Sequence, residues 1–402
     1  MVKVSDESRA QPVERLAAAA TEICLEDGLG ALSARTLAGR SGFSASAMTY
    51  HFGDRAGLVG HVQALAHLQL EAWRAEQRAA LHEPPRPAWL STPAWTISTL
   101  EDLLERRRRH LALQLELEAE GAAAAPALLD GAADEFERMY AFWRDGARRT
   151  GASADEAEAW ADLAIGLANS LLAEPGAAGR LSWIVDAVMR LHARLRRADI
   201  GSAVEPTLDA NARITEPPSA EGARRILDAA LRVVGEKGVD RMTQRDVAAA
   251  AGLSLAATTY FFRTKSDLLH AAFDELHRRV RADVLEHMAR NRNGALGPSE
   301  LVDEASDLAW RVRAMEALHR AAVRDPALRR LAREMLSTRG ATSLSVLRGL
   351  GANDADALDA FIWSISMATA LRRVRLLEPA SRADALAEIG ERKAKLIFAT
   401  AL

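Results

Sequence analysis

Residues 28–58 read GLGALSARTLAGRSGFSASAMTYHFGDRAGL, and residues 238–268 read GVDRMTQRDVAAAAGLSLAATTYFFRTKSDL. The two stretches align at an offset of 210 without a gap. Gly28 matches Gly238, Arg35 matches Arg245, Ala38 matches Ala248, and Gly42 matches Gly252. Ser44 matches Ser254, Thr49 matches Thr259, Tyr50 matches Tyr260, Phe52 matches Phe262, and Leu58 matches Leu268. Before each stretch lies an apolar stripe: Leu16, Ala19, Ala20, Ile23 and Cys24 in the first copy, Ile226, Ala229, Ala230, Val233 and Val234 in the second. That spacing (i, i+3, i+4, i+7, i+8) predicts a helix burying one face.

Local punctuation predicts the elements after that helix. Gly28 and Gly238 are expected to end the first helices as C-cap glycines. Ser33 and Thr243 are expected N-caps of a second helix, with Asp246 completing an approximate capping box. That helix should run to Ser41 and Ala251, where Gly42 and Gly252 permit a turn that a side chain would obstruct. Ser44 and Ser254 are expected to cap a short third helix, with Phe43 and Leu253 pointing into the core. A longer fourth helix should begin near Arg55 and Lys265. Two helices joined by so tight a turn form a helix-turn-helix.

The 402 residues suit two or three domains, and 49% hydrophobic content is enough for substantial cores. Ala, Leu, Arg and Glu dominate, and no alternating Val/Ile/Thr-rich runs appear, so the expected fold class is all-α. The repeat divides the chain into a first head (10–56), a first helical core (57–197), a linker (198–219), a second head (220–266) and a second core (267–402). The linker is rich in Gly, Pro, Asn, Asp and Thr and contains Glu216-Pro-Pro218. Weaker echoes extend beyond the heads: Pro126-Ala-Leu128 with Pro326-Ala-Leu328, and Glu174-Pro175 with Glu378-Pro379. Each half is expected to end in two long striped helices, near 155–173 with 181–197 and near 354–377 with 381–400.

Net charge of −3 does not announce a nucleic-acid partner. The copies differ locally. Residues 13–58 hold four Lys/Arg against five Asp/Glu, and residues 223–268 hold eight against five. The second copy should attract phosphate more strongly. Cys24 is the single cysteine, so no intrachain disulfide can form and a cytoplasmic location is expected; its place on the apolar stripe predicts packing. No signal-peptide pattern and no membrane-length apolar run appear.

With the glycine, the hydroxyl cap, the Ala-Gly-apolar-Ser turn and the aromatic run before a basic residue in hand, each copy resembles the DNA-binding segment of the tetracycline-repressor (TetR) family. The aromatic runs are Tyr50-His51-Phe52 with Arg55, and Tyr260-Phe261-Phe262 with Lys265. The resemblance implies three DNA-binding helices per head, a helical core holding an effector, and pairing through the last two helices of each subunit as a four-helix bundle. Both subunits would then lie in one polypeptide as an intramolecular pseudo-dimer, and a homodimer of the whole chain, with four heads, is the variant assembly.

The partner implied is double-stranded DNA, read by the third helix in the major groove. Ala45, Ser46 and Thr49 in the first head, and Leu255, Ala256 and Thr259 in the second, are the expected base-edge residues. Ser44 and Ser254 are caps first and DNA contacts second. Tyr50, His51, Arg55, Tyr260 and Lys265 are expected on phosphate, together with Ser33, Thr243 and Gln244 at the start of the second helix. Arg35 and Arg245 could reach backbone or base. The bland readings are that Tyr50 and Tyr260 are core aromatics and that Arg35 and Arg245 are solvated surface charges. Phe52 and Phe262 belong to the core. Where the family favours Lys, the first copy has Gly53-Asp-Arg-Ala-Gly57, placing Asp54 near the expected phosphate; the first head is therefore expected to be the weaker.

Other constellations are read more plainly. Glu116, Glu118 and Glu120 are expected on a solvated face, and Arg106 to Arg109 with His110 on a solvated surface or in cross-helix ion pairs. His61 and His67, six apart, do not share a helix face. No enzyme motif, cofactor site or metal site is predicted. Six of eight tryptophans (Trp73, Trp89, Trp95, Trp143, Trp160, Trp183) fall in the first half, with Trp310 and Trp363 in the second. Packing explains most of them. Trp95, Met139 and Trp143 are candidates for a pocket taking a small, flat hydrophobic effector. The function expected is a transcriptional repressor with two non-identical heads. The competing expectation is a ligand-binding or protein-interaction module with one or both heads decayed.

Overall fold

The computed structural model describes residues 6–82, 90–198, 220–290, 307–341, 343–349, 351–377 and 382–398. The expected linker, apart from Ala198, and Trp89 lie outside the described residues, as does the Trp310 side chain. The first half comprises α1 (Asp6–Asp27), α2 (Ala34–Ser41), α3 (Ala45–Phe52), α4 (Arg55–His82), α5 (Thr92–Ala124), α6 (Pro126–Arg149), α7 (Ala154–Ser170) and α8 (Ala177–Leu195). The second comprises α9 (Glu221–Arg241), α10 (Gln244–Ala251), α11 (Leu255–Phe261), α12 (Lys265–Arg290), α13 (Asp307–Arg324), α14 (Pro326–Ser337), α15 (Ser343–Gly349), α16 (Ala357–Leu377) and α17 (Arg382–Phe398). No strand occurs among the described residues, and the fold is all-α. Pro126 and Pro326 both open a helix, where the missing N–H costs nothing, and Leu128 and Leu328 behind them are both buried.

The chain divides into two compact units, residues 1–85 with 107–136 and residues 86–106 with 137–402. The boundary falls inside α5 and α6. In the first unit, the stripe of α1 (Leu16, Ala20, Ile23, Cys24) meets Leu37, Phe52, Leu58 and Val62, and Leu113 and Leu117 of α5 close the core. Each such aliphatic side chain contributes about 1.5–3 kcal/mol on burial. Cys24 is buried packing, as its position predicts. A buried ion pair joins α4 to α6, where the Arg74 guanidinium grips the Glu135 carboxylate, one bond measuring 3.1 Å (Nη2 to Oε2).

Glu116 does not lie on a solvated face. It is buried, and its Oε2 accepts the Leu29 backbone N–H at 2.7 Å. The α1–α2 connection leaves that N–H without a helical partner, and a buried donor must find an acceptor. Glu120 is likewise engaged, with Arg55. Gly28 and Gly238 do interrupt helices, though not in the left-handed cap geometry expected: their φ/ψ are 93/163 and 79/164, an extended region open essentially to glycine.

In the second unit α9 packs against α10, α11, α12 and α13. Ile226, Ala230, Val234, Val247, Leu268 and Phe273 are the centre of that core. Helices α7, α8, α16 and α17 also pack on one another. Small residues let α7 approach α16 closely: a Cβ on Gly166 would lie 2.7 Å from the Ile365 carbonyl oxygen. This packing draws the last helices of the first half into the second unit. Trp95, Met139 and Trp143 are buried here too. The rings of Trp95 and Trp143 meet edge-on at 5.3 Å, and Trp95 presses on Gly146 so tightly that a Cβ there would sit 2.1 Å from Cη2. A cleft of about 350 Å³ in this unit is bordered by the charged residues Asp155, Glu158, Arg197, Arg392, Lys393 and Lys395 among others, and not by these three.

Candidate nucleic-acid interface

Each head is assembled by local hydrogen bonds that the sequence encodes. At the start of α2, Ser33 Oγ accepts the Thr36 N–H at 3.1 Å, and Thr36 Oγ1 accepts the Ser33 N–H at 2.9 Å. At the start of α10, Thr243 Oγ1 accepts the Asp246 N–H at 3.1 Å, and Asp246 Oδ2 accepts the Thr243 N–H at 3.1 Å. Both are capping boxes. The Thr243 hydroxyl and Lys237 hold the Asp246 carboxyl at about 2, below its usual value. Gly42 (φ 74) and Gly252 (φ 64) make the left-handed turns.

Of the six third-helix residues expected at base edges, all but Thr259 are exposed. In α3, Ser44, Ala45, Ser46, Thr49 and Tyr50 are exposed, Ala47 and Met48 are half-buried, and Phe52 is buried. In α11, Ser254, Leu255, Ala256 and Tyr260 are exposed and Thr258 is buried. Tyr50 and Tyr260 are 73% and 82% exposed, which removes the core reading of both rings. Ser254 caps α11 through the Ala257 N–H at 3.1 Å. Ser44 does not cap α3; its hydroxyl pairs with that of Ser46 at 2.9 Å. Thr259 is half-buried and donates its hydroxyl to the Leu255 carbonyl at 3.0 Å.

The basic residues separate into engaged and available. Arg55 donates to Glu120 Oε1 at 2.9 Å and to the Leu29 carbonyl at 3.1 Å, so its charge is compensated inside the first unit. Gln244 donates to the Phe262 carbonyl at 2.9 Å. Arg40 is paired with Glu26, and Lys237 with Asp246. Arg35 in the first head, and Arg245 and Arg263 in the second, are exposed, with no ion pair among the described residues. The sequence reading missed Arg263; a basic residue between the aromatic run and Lys265 was the available signal. His51 is half-buried, edge-on to Tyr50 at 4.8 Å.

The turn into the fourth helix distinguishes the heads. In the second head Thr264 Oγ1 accepts the Asp267 N–H and Asp267 Oδ2 accepts the Thr264 N–H, both at 3.0 Å, so the cap itself is a neutral hydroxyl and the carboxylate stands three residues further along α12. In the first, Asp54 Oδ1 accepts the Gly57 N–H at 2.8 Å. In the first head the carboxylate therefore stands at the cap position itself, where an anion would otherwise be favoured. Gly57 is also explained: a Cβ there would lie 2.2 Å from the Phe52 carbonyl oxygen. Replacing Asp54 by Thr, the residue of the second head, should tighten binding to duplex DNA by about threefold to tenfold at low salt, with the gain shrinking as salt rises. Anisotropy titrations at two salt concentrations check this; unchanged affinity would count against Asp54 facing phosphate.

Residues 226–272, covering most of α9, all of α10 and α11, and the start of α12, match the family described as bacterial regulatory proteins, tetR family. This similarity covers the second head. The match leaves out residues 13–58. Comparison with curated proteins gave no match. The tetR-family segment includes the available Arg245 and Arg263 and the exposed Tyr260. No described helix is long and apolar enough to cross a membrane.

Proposed function

We propose that this chain is a tandem regulator of the tetR type, with two non-identical heads on one polypeptide reading an asymmetric operator. The observation that carries the reading is the repeated head geometry at an offset of 210. Capping box, left-handed glycine, third helix and exposed tyrosine recur in register. Two heads on one duplex would occupy successive major grooves about 34–36 Å apart. The faces differ: Ala45, Ser46 and Thr49 offer small and hydroxyl groups, while Leu255 and Ala256 offer apolar contact suited to thymine methyls. Arg35, Tyr50, His51, Arg245, Tyr260, Arg263 and Lys265 are the proposed phosphate residues.

The mode of control we propose is repression relieved by a small effector with greater affinity for the non-binding state. Supporting it, Trp143 Nε1 is buried without a hydrogen-bond partner among the described residues, its ring packed on those of Trp95 and Phe142. Such an orphaned donor favours a ligand bearing one acceptor on a flat apolar body. Selection of bound sequences from random DNA tests the operator reading. The expected consensus is asymmetric, with stronger information over the half contacted by residues 254–260. A perfectly palindromic consensus would overturn it, pointing instead to two chains presenting the same head.

A further inference from the structure

Helices α7 and α8 of the first half and α16 and α17 of the second are related by an offset of 203. Trp160 then matches Trp363, and the capping pair Ser153 and Glu156 matches Asp356 and Asp359. Both pairs form boxes: Ser153 with Glu156 at 2.8 and 3.3 Å, and Asp356 with Asp359 at 3.1 Å in each direction. The contacts obey the same relation. Gly166 lies against Ile365, and Thr369 Oγ1 donates to the Asp162 carbonyl at 3.2 Å, each the image of the other.

The charges break this symmetry. From α8, Arg190 reaches Asp356 at 2.7 Å and Asp359 at 3.2 Å, and Arg194 grips Asp359 at 2.6 Å and also pairs with Asp354. All but Asp354 are buried. At the image position, Lys393 of α17 stands for Arg190 and Ile397 for Arg194. Lys393 is buried and paired with buried Asp162 of α7, whose own image is Ile365. Burial pushes the Asp162 carboxyl up, and Lys393 pulls it back.

We infer that these buried ion pairs make the bundle a heterologous interface: the last helix pair of one half accepts only that of the other half, and rejects its own kind on a second chain. Pairing two second halves would set Asp356 and Asp359 against Lys393 and Ile397, with Ile365 where Lys393 needs a carboxylate. Buried carboxylates would outnumber their cations on both sides, a large penalty. Pairing two first halves is balanced, with Arg190 and Arg194 facing Glu156 and Asp162. Like-with-like pairing between two chains must form one pair of each kind, so the second-half penalty works against it; only a reciprocal first-to-second exchange would keep the observed charge pairs. Specificity then comes from building a cost into the wrong partner. One head of each type is thereby fixed on every molecule, which two freely exchanging subunits could not guarantee. The inference rests on the proposed pairing of the halves and not on DNA binding.

The test uses the full chain. Two versions differing only by a mass tag are mixed at micromolar concentration and weighed by native mass spectrometry. Each should remain at its own monomer mass, near 43.5 kDa plus tag; a mixed dimer whose second halves crosslink to each other overturns the inference. In parallel, Asp162→Lys, Lys393→Asp and the double variant are compared by thermal unfolding. Each single change should lower the midpoint by on the order of 10 °C, and the double should regain at least half of that loss. Singles that behave like wild type, or a double that falls as far as the sum of both, overturn it. A chain that fails to bind DNA yet shows the recovery removes the regulator reading and leaves this one standing.

Discussion

A chain carrying Arg245→Ala with Tyr260→Ala is expected to bind duplex DNA about a hundredfold more weakly, whereas Arg35→Ala with Tyr50→Ala should cost about tenfold or less. The pairs are equivalent in the repeat and all four side chains are exposed. Their surroundings differ. The second head carries eight Lys/Arg against five Asp/Glu over 223–268, and the first carries four against five over 13–58. In the first head Arg55 is spent on Glu120 and the Leu29 carbonyl, and Asp54 sits at the α4 N-terminus. A hydrogen bond to a charged group contributes about 1.5–3 kcal/mol, so two lost from a strongly bound head account for the larger figure. Removing Arg245 should also flatten the dependence of log affinity on log salt by about 0.9. Anisotropy titrations between about 50 and 200 mM salt read both effects. Equal losses from the two pairs would mean that the heads share the load and that the local charge difference is irrelevant.

Glu135→Ala is expected to destabilise the first unit by about 3–5 kcal/mol and to lower its unfolding midpoint by on the order of 10 °C. The Arg74 side chain is fully buried, and Glu135 is 1% exposed. Burial works against the guanidinium charge, and the bonds to Glu135 and Glu71 outweigh it, so the group is held above its usual value. Without Glu135, only Glu71, itself partly exposed, remains to compensate the cation. Replacing both partners by apolar residues of similar volume, Arg74→Met with Glu135→Leu, should recover most of the loss, because the expense lies in the orphaned charge. Circular dichroism melts of the single and double variants test this. A single variant within about 1 kcal/mol of wild type would show that water reaches the pair.

The heads were largely legible because their determinants are local. Ser33, Thr243, Gly42 and Gly252 act on backbone groups within four residues of themselves, and the apolar stripe of each first helix needs only its own period. The aromatic run was legible in part: Phe52 was assigned to the core and is buried, while the exposure of Tyr50, on the opposite face of the same short helix, was settled only by the structure. Less legible were side chains whose partners lie far off in sequence. Glu116 reads as a surface carboxylate until Leu29, 87 residues away, proves to be its donor. Arg55 reads as a phosphate contact until Glu120 claims it. Ser44 looks like its counterpart Ser254 but bonds Ser46, a competition between two hydroxyls that the cap motif does not foresee.

Periodicity, capping residues and turn glycines determine from the sequence alone that this chain is helical and where the second helix and the turn of each helix-turn-helix fall. Which charges are spent internally, that Trp95 is wedged onto Gly146, and that Arg190, Arg194 and Lys393 are buried against carboxylates from the opposite end of the chain were decided only by the tertiary structure. Local geometry is fixed by steric and hydrogen-bond rules acting over a few residues. The fate of a charge depends on what desolvates and compensates it, and those groups come together only when distant helices pack.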